Sequence, residues 1–227
     1  MSQPLRLAVL LSGSGTTLQN LIDHIEAQKL NATIAVVVGS RPEAYGLERA
    51  RRHGLETLCL PRATACDGEA YDEKLNQVLD RYHPELVVLA GYLHLFRFAP
   101  HYRGRVMNIH PSLIPAFCGK GFYGMRVHRA VLAYGVKLTG CTVHFADEQY
   151  DHGPIILQRA VPVLEHDTPD SLAQRVALEE RRAYPEAIQL FAEGRLKIEG
   201  RKVRILGVSE PYPTSSTVEK RGEGLVP

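Results

Sequence analysis

The apolar run Leu5–Leu11 stops abruptly at Ser12-Gly13-Ser14-Gly15, and a helical recurrence of Leu18, Leu21, Ile22 and Ile25 follows at once. A strand without polar alternate positions is buried on both faces, as in a sheet covered by helices on either side. The same unit then repeats. Strands read at Thr33–Val38, Glu56–Leu60, Glu85–Ala90 and Arg105–Ile109, with helices at Ala44–Arg52 and Ala70–Tyr82. Strands alternating with helices predict a parallel sheet with right-handed crossovers.

Beyond Gly119–Gly124 the pattern changes. A helix near Val127–Tyr134 leads to alternating strands at Lys137–Phe145 and Ile155–Val163. A long helix over about Pro169–Phe191 ends at Gly194, and Leu196–Ile198 with Val203–Ile205 forms a small hairpin turning at Gly200. The expected fold is α/β, a single-domain Rossmann-like, mostly parallel sheet with a mixed or antiparallel C-terminal part. Residues 209–227 are dominated by Pro, Ser, Thr, Lys, Glu and Gly, which predicts a flexible tail.

A chain of 227 residues suits one domain or one domain plus an appendage. Its formal net charge of +2, with no basic cluster interleaved with aromatics, gives no footprint for nucleic acid. The Leu5–Leu11 run is too short to span a membrane. Four cysteines without CxxC spacing fit a reducing compartment, so a cytoplasmic protein is expected.

Chemistry concentrates in two segments. In Met107-Asn108-Ile109-His110-Pro111-Ser112, Asn108 and His110 leave a strand end on the same face, and Pro111 forces the chain to turn. An amide donor beside an imidazole at a strand's carboxyl end suits oxyanion stabilisation and proton movement, although such a pair also simply caps turns. In Leu138–Phe145, alternation places Gly140, Thr142 and His144 on one face. Asp151 sits in the loop before the next strand, within Asp151-His152-Gly153-Pro154. A carboxylate near an imidazole orients it and favours imidazolium, while Asp-x-Gly-Pro is also a common turn.

The loop Gly13-Ser14-Gly15-Thr16-Thr17 opens the first helix, where backbone N–H groups and the helix dipole favour an anion. No Lys completes a P-loop and Leu18 replaces a third fingerprint glycine, so a monophosphate fits better than a pyrophosphate. Glycine and serine are common in any such turn, so phosphate binding and a purely structural turn both stand. The histidines lack zinc-motif spacing, and no metal is expected.

Together LLSGSGTT (10–17), ELVVLAGYL (85–93), NIHPSLIP (108–115), TVHF (142–145) and DHGPIILQ (151–158) resemble the phosphoribosylglycinamide formyltransferase family in order and spacing. The resemblance covers about residues 5–200. It implies a catalytic domain over 1–208, with a phosphate-binding half near 1–105 and a folate-binding half near 106–208. It also implies direct attack of the glycinamide ribonucleotide amine on the formyl group of 10-formyltetrahydrofolate as co-substrate, with no metal. The partners it implies are small molecules rather than nucleic acid or membrane, for a monomer or a homodimer.

By matching motif positions, the resemblance implies that Asn108, His110, Asp151 and His144 are catalytic. Gly13, Ser14, Gly15, Thr16 and Thr17 would hold the phosphate, and Glu180 the amine. Leu93, His94, Leu95, Phe96, Asn108, Asp147, Glu148, Gln149, Tyr150 and Asp151 would bind folate, beneath a flap at Phe117–Met125. Two positions depart from the family pattern. A basic residue of many relatives falls at Gly68, where Arg62 or Lys120 are the available substitutes, and His94 stands where many relatives carry Arg. A formyltetrahydrofolate hydrolase shares the Asn, His and Asp. It usually carries an additional domain before the catalytic one, for which a first strand at Leu5 leaves no room. A nucleotide-binding module without catalysis would need only the glycine loop.

Overall fold

Period-two alternation in the first strand decides which helices cover which face of the sheet. In the computed structural model, which describes residues 3–62 and 68–207, β1 spans Leu5–Leu11. Leu7, Val9 and Leu11 enter one hydrophobic cluster, and Ala8 and Leu10 enter the other. Neither face is left to water, as the unbroken apolar run requires. The predicted tail at 209–227 lies outside the described residues, as do Cys66 and Asp67.

The elements follow the reading closely. Helix α1 (Thr16–Glu26), β2 (Ala32–Gly39), α2 (Tyr45–Arg52), β3 (Thr57–Cys59), α3 (Gly68–Tyr82), β4 (Leu86–Leu89) and β5 (Val106–His110) build the first half. Helix α4 (Met125–Tyr134), β6 (Leu138–Phe145), β7 (Ile155–Pro162), α5 (Pro169–Ala192), β8 (Leu196–Glu199) and β9 (Lys202–Ile205) build the second. The strand order is β3-β2-β1-β4-β5-β6-β7-β9-β8. Pairings from β3 to β5 are parallel, and β6 runs antiparallel to both β5 and β7.

Two details differ from the sequence reading. His110 was expected beyond the strand, but β5 continues through it because β6 offers Thr142 as a ladder partner. The C-terminal hairpin forms as read, but its β9 also joins β7 through Ile155↔Lys202 and extends the main sheet, which the sequence did not signal.

Residues of α1, α2, α4 and α5 line the cluster on one face, while α3 supplies Tyr71, Leu75 and Leu79 to the other. Beside α3, over β5 and β6, loops rather than a helix lie against that second face. Thr142 anchors them: its Oγ1 donates to Ser112 O at 2.7 Å and accepts from Ile114 N at 3.0 Å. Helix α5 starts at a capping box in which Thr168 Oγ1 accepts from Ser171 N, and the Ser171 hydroxyl accepts from Thr168 N. Its Tyr184 is fully buried and its hydroxyl faces two strand carbonyls, Met107 O at 2.7 Å and Leu89 O at 3.1 Å. That contact pins α5 to β4 and β5 just below their carboxyl ends.

Candidate active site

Sheet order reverses around β1, whose neighbours are β2 and β4, so a crevice opens outside the carboxyl ends of these strands. Three loops are tied together there. Ser12 N donates to Gly91 O, Leu93 N donates to Ser12 Oγ, and the hydroxyls of Ser12 and Ser40 lie 2.7 Å apart. The antiparallel register of β5 and β6 then sets Asn108 opposite His144 and His110 opposite Thr142. Because paired residues in a ladder share a face, these four polar side chains gather on the face carrying the loops.

Asp151 completes the group from the loop after β6. Its Oδ2 lies 3.4 Å from His110 Nδ1, and its Oδ1 accepts from Asn108 Nδ2 at 3.3 Å. Oδ2 also accepts the backbone N–H of Gly119 at 2.8 Å. Asp151 has φ 52°, a left-handed conformation that Asp tolerates better than most residues. Gly153 is needed two residues on, because a Cβ there would stand 1.9 Å from Phe145 O.

Hydrogen bonds fix the protons on the imidazoles. His110 Nε2 lies 3.0 Å from Phe117 O, a pure acceptor, so Nε2 carries hydrogen. By the same reasoning His144 carries its proton on Nδ1, which faces Phe145 O at 2.9 Å. Burial holds the His144 pKa below its usual value, so the ring is neutral and its Nε2 accepts from Asn108 Nδ2 at 3.2 Å. Both Nδ2 protons of Asn108 are therefore engaged, one by His144 and one by Asp151.

Small-molecule sites commonly enclose about 300–1,000 Å³, and the cavity beside this group has a volume of about 740 Å³. It runs from Asn108, His110 and Asp151 to Ser14, Thr16, Thr17 and Glu180, roofed by Gly119–Met125. The first bond of α1 is Gln19 N to Gly15 O at 2.9 Å, so earlier N–H groups of its first turn have no helical acceptor. Gly13 and Gly15 do not line the cavity but shape the loop. Gly13 O accepts from Gly46 N, and a Cβ on Gly15 (φ 72°) would sit 2.4 Å from Gly46 Cα. Glu180 is partly buried on α5, and desolvation pushes its carboxyl pKa up to about 7.

A second, narrower cavity adjoins the first. His94, Leu95, Phe96, Asn108, His144, Asp147, Gln149, Tyr150 and Asp151 line it, whereas Leu93 lines the larger one. Glu148 lines neither; it points outward and pairs with Arg103 at 3.2 Å. Tyr150 bridges the two cavities, its hydroxyl accepting from Leu95 N at 2.9 Å. His94 Nε2 is buried without a hydrogen-bond partner, and burial with the charges of Arg62 and Arg41 lowers its pKa. The guanidinium of Arg62 fills the space over Gly68, where a Cβ would meet its Nη2 at 2.9 Å. Arg62 stacks on Tyr71 and donates to Leu95 O, while Lys120 lines the larger cavity.

Tyr92, Gly119 and His128 were given no substrate-binding role by the sequence, yet all three line the larger cavity. Only Gly119 carried a signal, as part of the glycine-rich stretch. No group of three or more His, Cys, Asp or Glu among the described residues is arranged to hold a metal ion. No helix among them is long and apolar enough to cross a membrane.

Comparison with known proteins agrees with this geometry. The formyl transferase family model matches residues 5–188. The chain is 40% identical over 196 residues to phosphoribosylglycinamide formyltransferase of Escherichia coli (strain K12), covering 86% of this chain and 90% of that one. Glycinamide ribonucleotide transformylase 1 from Symbiobacterium toebii superposes with a TM-score of 0.83 at 49% identity, covering 91% and 96% of the two chains. A formyltetrahydrofolate deformylase from Pseudomonas syringae pv. tomato shares the fold, with a TM-score of 0.81 at 23% identity over 90% of this chain and 66% of that one. The chain belongs to the formyl transferase family.

Proposed function

We propose that this chain transfers the formyl group of 10-formyltetrahydrofolate to the amine of N1-(5-phospho-D-ribosyl)glycinamide, a step of purine biosynthesis. The observation that carries this reading is the convergence of Asn108, His110 and Asp151 at one end of a cavity whose other end is the open first turn of α1. The ribonucleotide phosphate takes the unpaired N–H groups and hydroxyls of the Gly13–Thr17 loop. Its amine lies toward Glu180, and the pterin enters the narrower cavity beside His94–Phe96 and Asp147–Asp151.

In the reaction the amine nitrogen attacks the formyl carbon, and the carbonyl oxygen gains negative charge. Asn108 then gives the oxyanion the Nδ2 proton it shares with Asp151, the longer of its two bonds. His110 stabilises the same charge and passes a proton toward the departing folate nitrogen, with Asp151 compensating the charge on its ring. His144 keeps the Asn108 amide aimed. The neutral His94 gives the glutamate end of the folate no fixed cation, and Arg62 is the basic group nearest Leu95. The substrates are small molecules, and cytosolic chemistry fits the cysteine usage.

The test mixes 10-formyltetrahydrofolate with the ribonucleotide or with water alone and follows tetrahydrofolate. Release only with the ribonucleotide is expected. Equal release in water would instead identify a hydrolase, and no release in either mixture would leave only a binding module.

A further inference from the structure

Glu180 is the one cavity carboxylate that the protein itself leaves unanswered. It has no hydrogen bond or ion pair with any described residue, whereas Asp151 in the same cavity has four polar neighbours, Asn108, His110, Gly119 and His144. Its helix, α5, is locked at both the cap and Tyr184, so the carboxyl is held at the cavity wall by rigid structure. The charged and titratable groups facing it are few. Arg181 lies next in the helix, Cys141 lies beneath on β6, and His110, His128, Asp151 and Lys120 share the cavity. Cys141 stays a thiol because burial pushes its pKa up to about 12. None of these groups bonds to Glu180.

We infer that Glu180 is the base that takes the first proton from the substrate's ammonium group before attack. The inference rests on the transferase reading above, because that reaction needs an amine lone pair while the amine arrives protonated. One ammonium N–H bond breaks and one carboxyl O–H bond forms, leaving neutral amine and neutral acid. The nitrogen lone pair then forms the bond to the formyl carbon. The nitrogen's next proton leaves through His110 to the folate nitrogen, and Glu180 returns its own to solvent through the cavity mouth. Two proton paths thus meet at one nitrogen in one cavity, with Glu180 taking its first proton and His110 passing its second to the leaving group. The raised pKa of Glu180 matches this work, since an ordinary carboxylate is too weak a base to accept an ammonium proton near neutrality.

The test is kcat/KM for the ribonucleotide at saturating 10-formyltetrahydrofolate, between about pH 5.5 and 9, for wild type, Glu180→Gln and Glu180→Asp. Glu180→Gln should be slower by about 10²–10³-fold near pH 7, and the deficit should close as rising pH supplies free amine. Glu180→Asp should keep the wild-type profile at a reduced rate, and unchanged folate affinity in both variants checks the fold. A constant deficit at every pH, caused by weaker ribonucleotide binding alone, would overturn the proton-acceptor role. If wild type forms no tetrahydrofolate with the ribonucleotide, the transferase reading itself fails instead.

Discussion

The backbone N–H of Gly119 donates to Asp151 over 2.8 Å, on the same carboxylate oxygen that faces His110. The loop roofing the cavity is therefore bonded to the carboxylate of the reaction centre. Gly119 has φ 93°, outside the range open to proline, and proline also removes the donor. Gly119→Pro is expected to lower kcat by at least about tenfold and to lower the melting temperature modestly, with the protein still folded at assay temperature. Steady-state kinetics beside a melting curve check this, and wild-type kcat would show that the loop does not govern Asp151.

Replacing either partner of the His110–Asp151 pair should separate chemistry from binding. His110→Ala and Asp151→Ala are each expected to lose about 10²–10⁴-fold in kcat, while calorimetric affinity for the ribonucleotide stays near wild type. Turnover within threefold of wild type in either variant contradicts the assigned roles.

Gly15 and Gly46 nearly touch, so the phosphate loop and α2 are packed backbone to backbone. Gly15→Ala forces a Cβ into Gly46 and into a left-handed φ at once. We expect a Tm loss and a more than tenfold weaker Kd for inorganic phosphate, read by calorimetry. Unchanged phosphate affinity would mean that the loop does not hold the anion.

Tyr184→Phe tests the contact that seats α5. The phenol proton is removed while two buried carbonyls stay, so a cost of about 1–3 kcal/mol is expected in denaturant unfolding. A change below about 0.5 kcal/mol would mean that the ladder alone satisfies both carbonyls.

Glu180 should also mark the pH dependence of stability. Its folded pKa is raised from 4.5 to about 7, so the folded state holds the proton more tightly than the unfolded state. The penalty is absent below the unfolded value, grows as pH rises from 4.5 to 7, and is complete above that, at about 3 kcal/mol. Glu180→Gln should therefore be more stable than wild type at pH 8 and equal to it near pH 4. Tm measured at both values checks the sign.

The strands and helices were legible because each is signalled by local periodicity. Leu5–Leu11 was read to the residue, and alternation placed Asn108 with His110 on one face of their strand and Thr142 with His144 on one face of theirs, while the β5–β6 pairing is what makes the two faces one. What periodicity cannot carry is the path of an irregular loop. The bond from Gly119 to Asp151 spans 32 residues and depends on left-handed glycines whose ψ the sequence leaves open. The bond between Tyr150 and Leu95 likewise joins two loops. Glu148 was placed with its neighbours by segment, but adjacent loop residues need not point the same way, and it turns to Arg103 instead.

The β5–β6 ladder has one more consequence. The parallel half of the sheet delivers Asn108 and His110, and the antiparallel half delivers His144 and, through its following loop, Asp151. Neither half owns a working centre, so a chain in which only one has condensed is chemically silent. Activity should appear during refolding only when the seam between the halves zips, which makes turnover a reporter of that long-range pairing rather than of collapse.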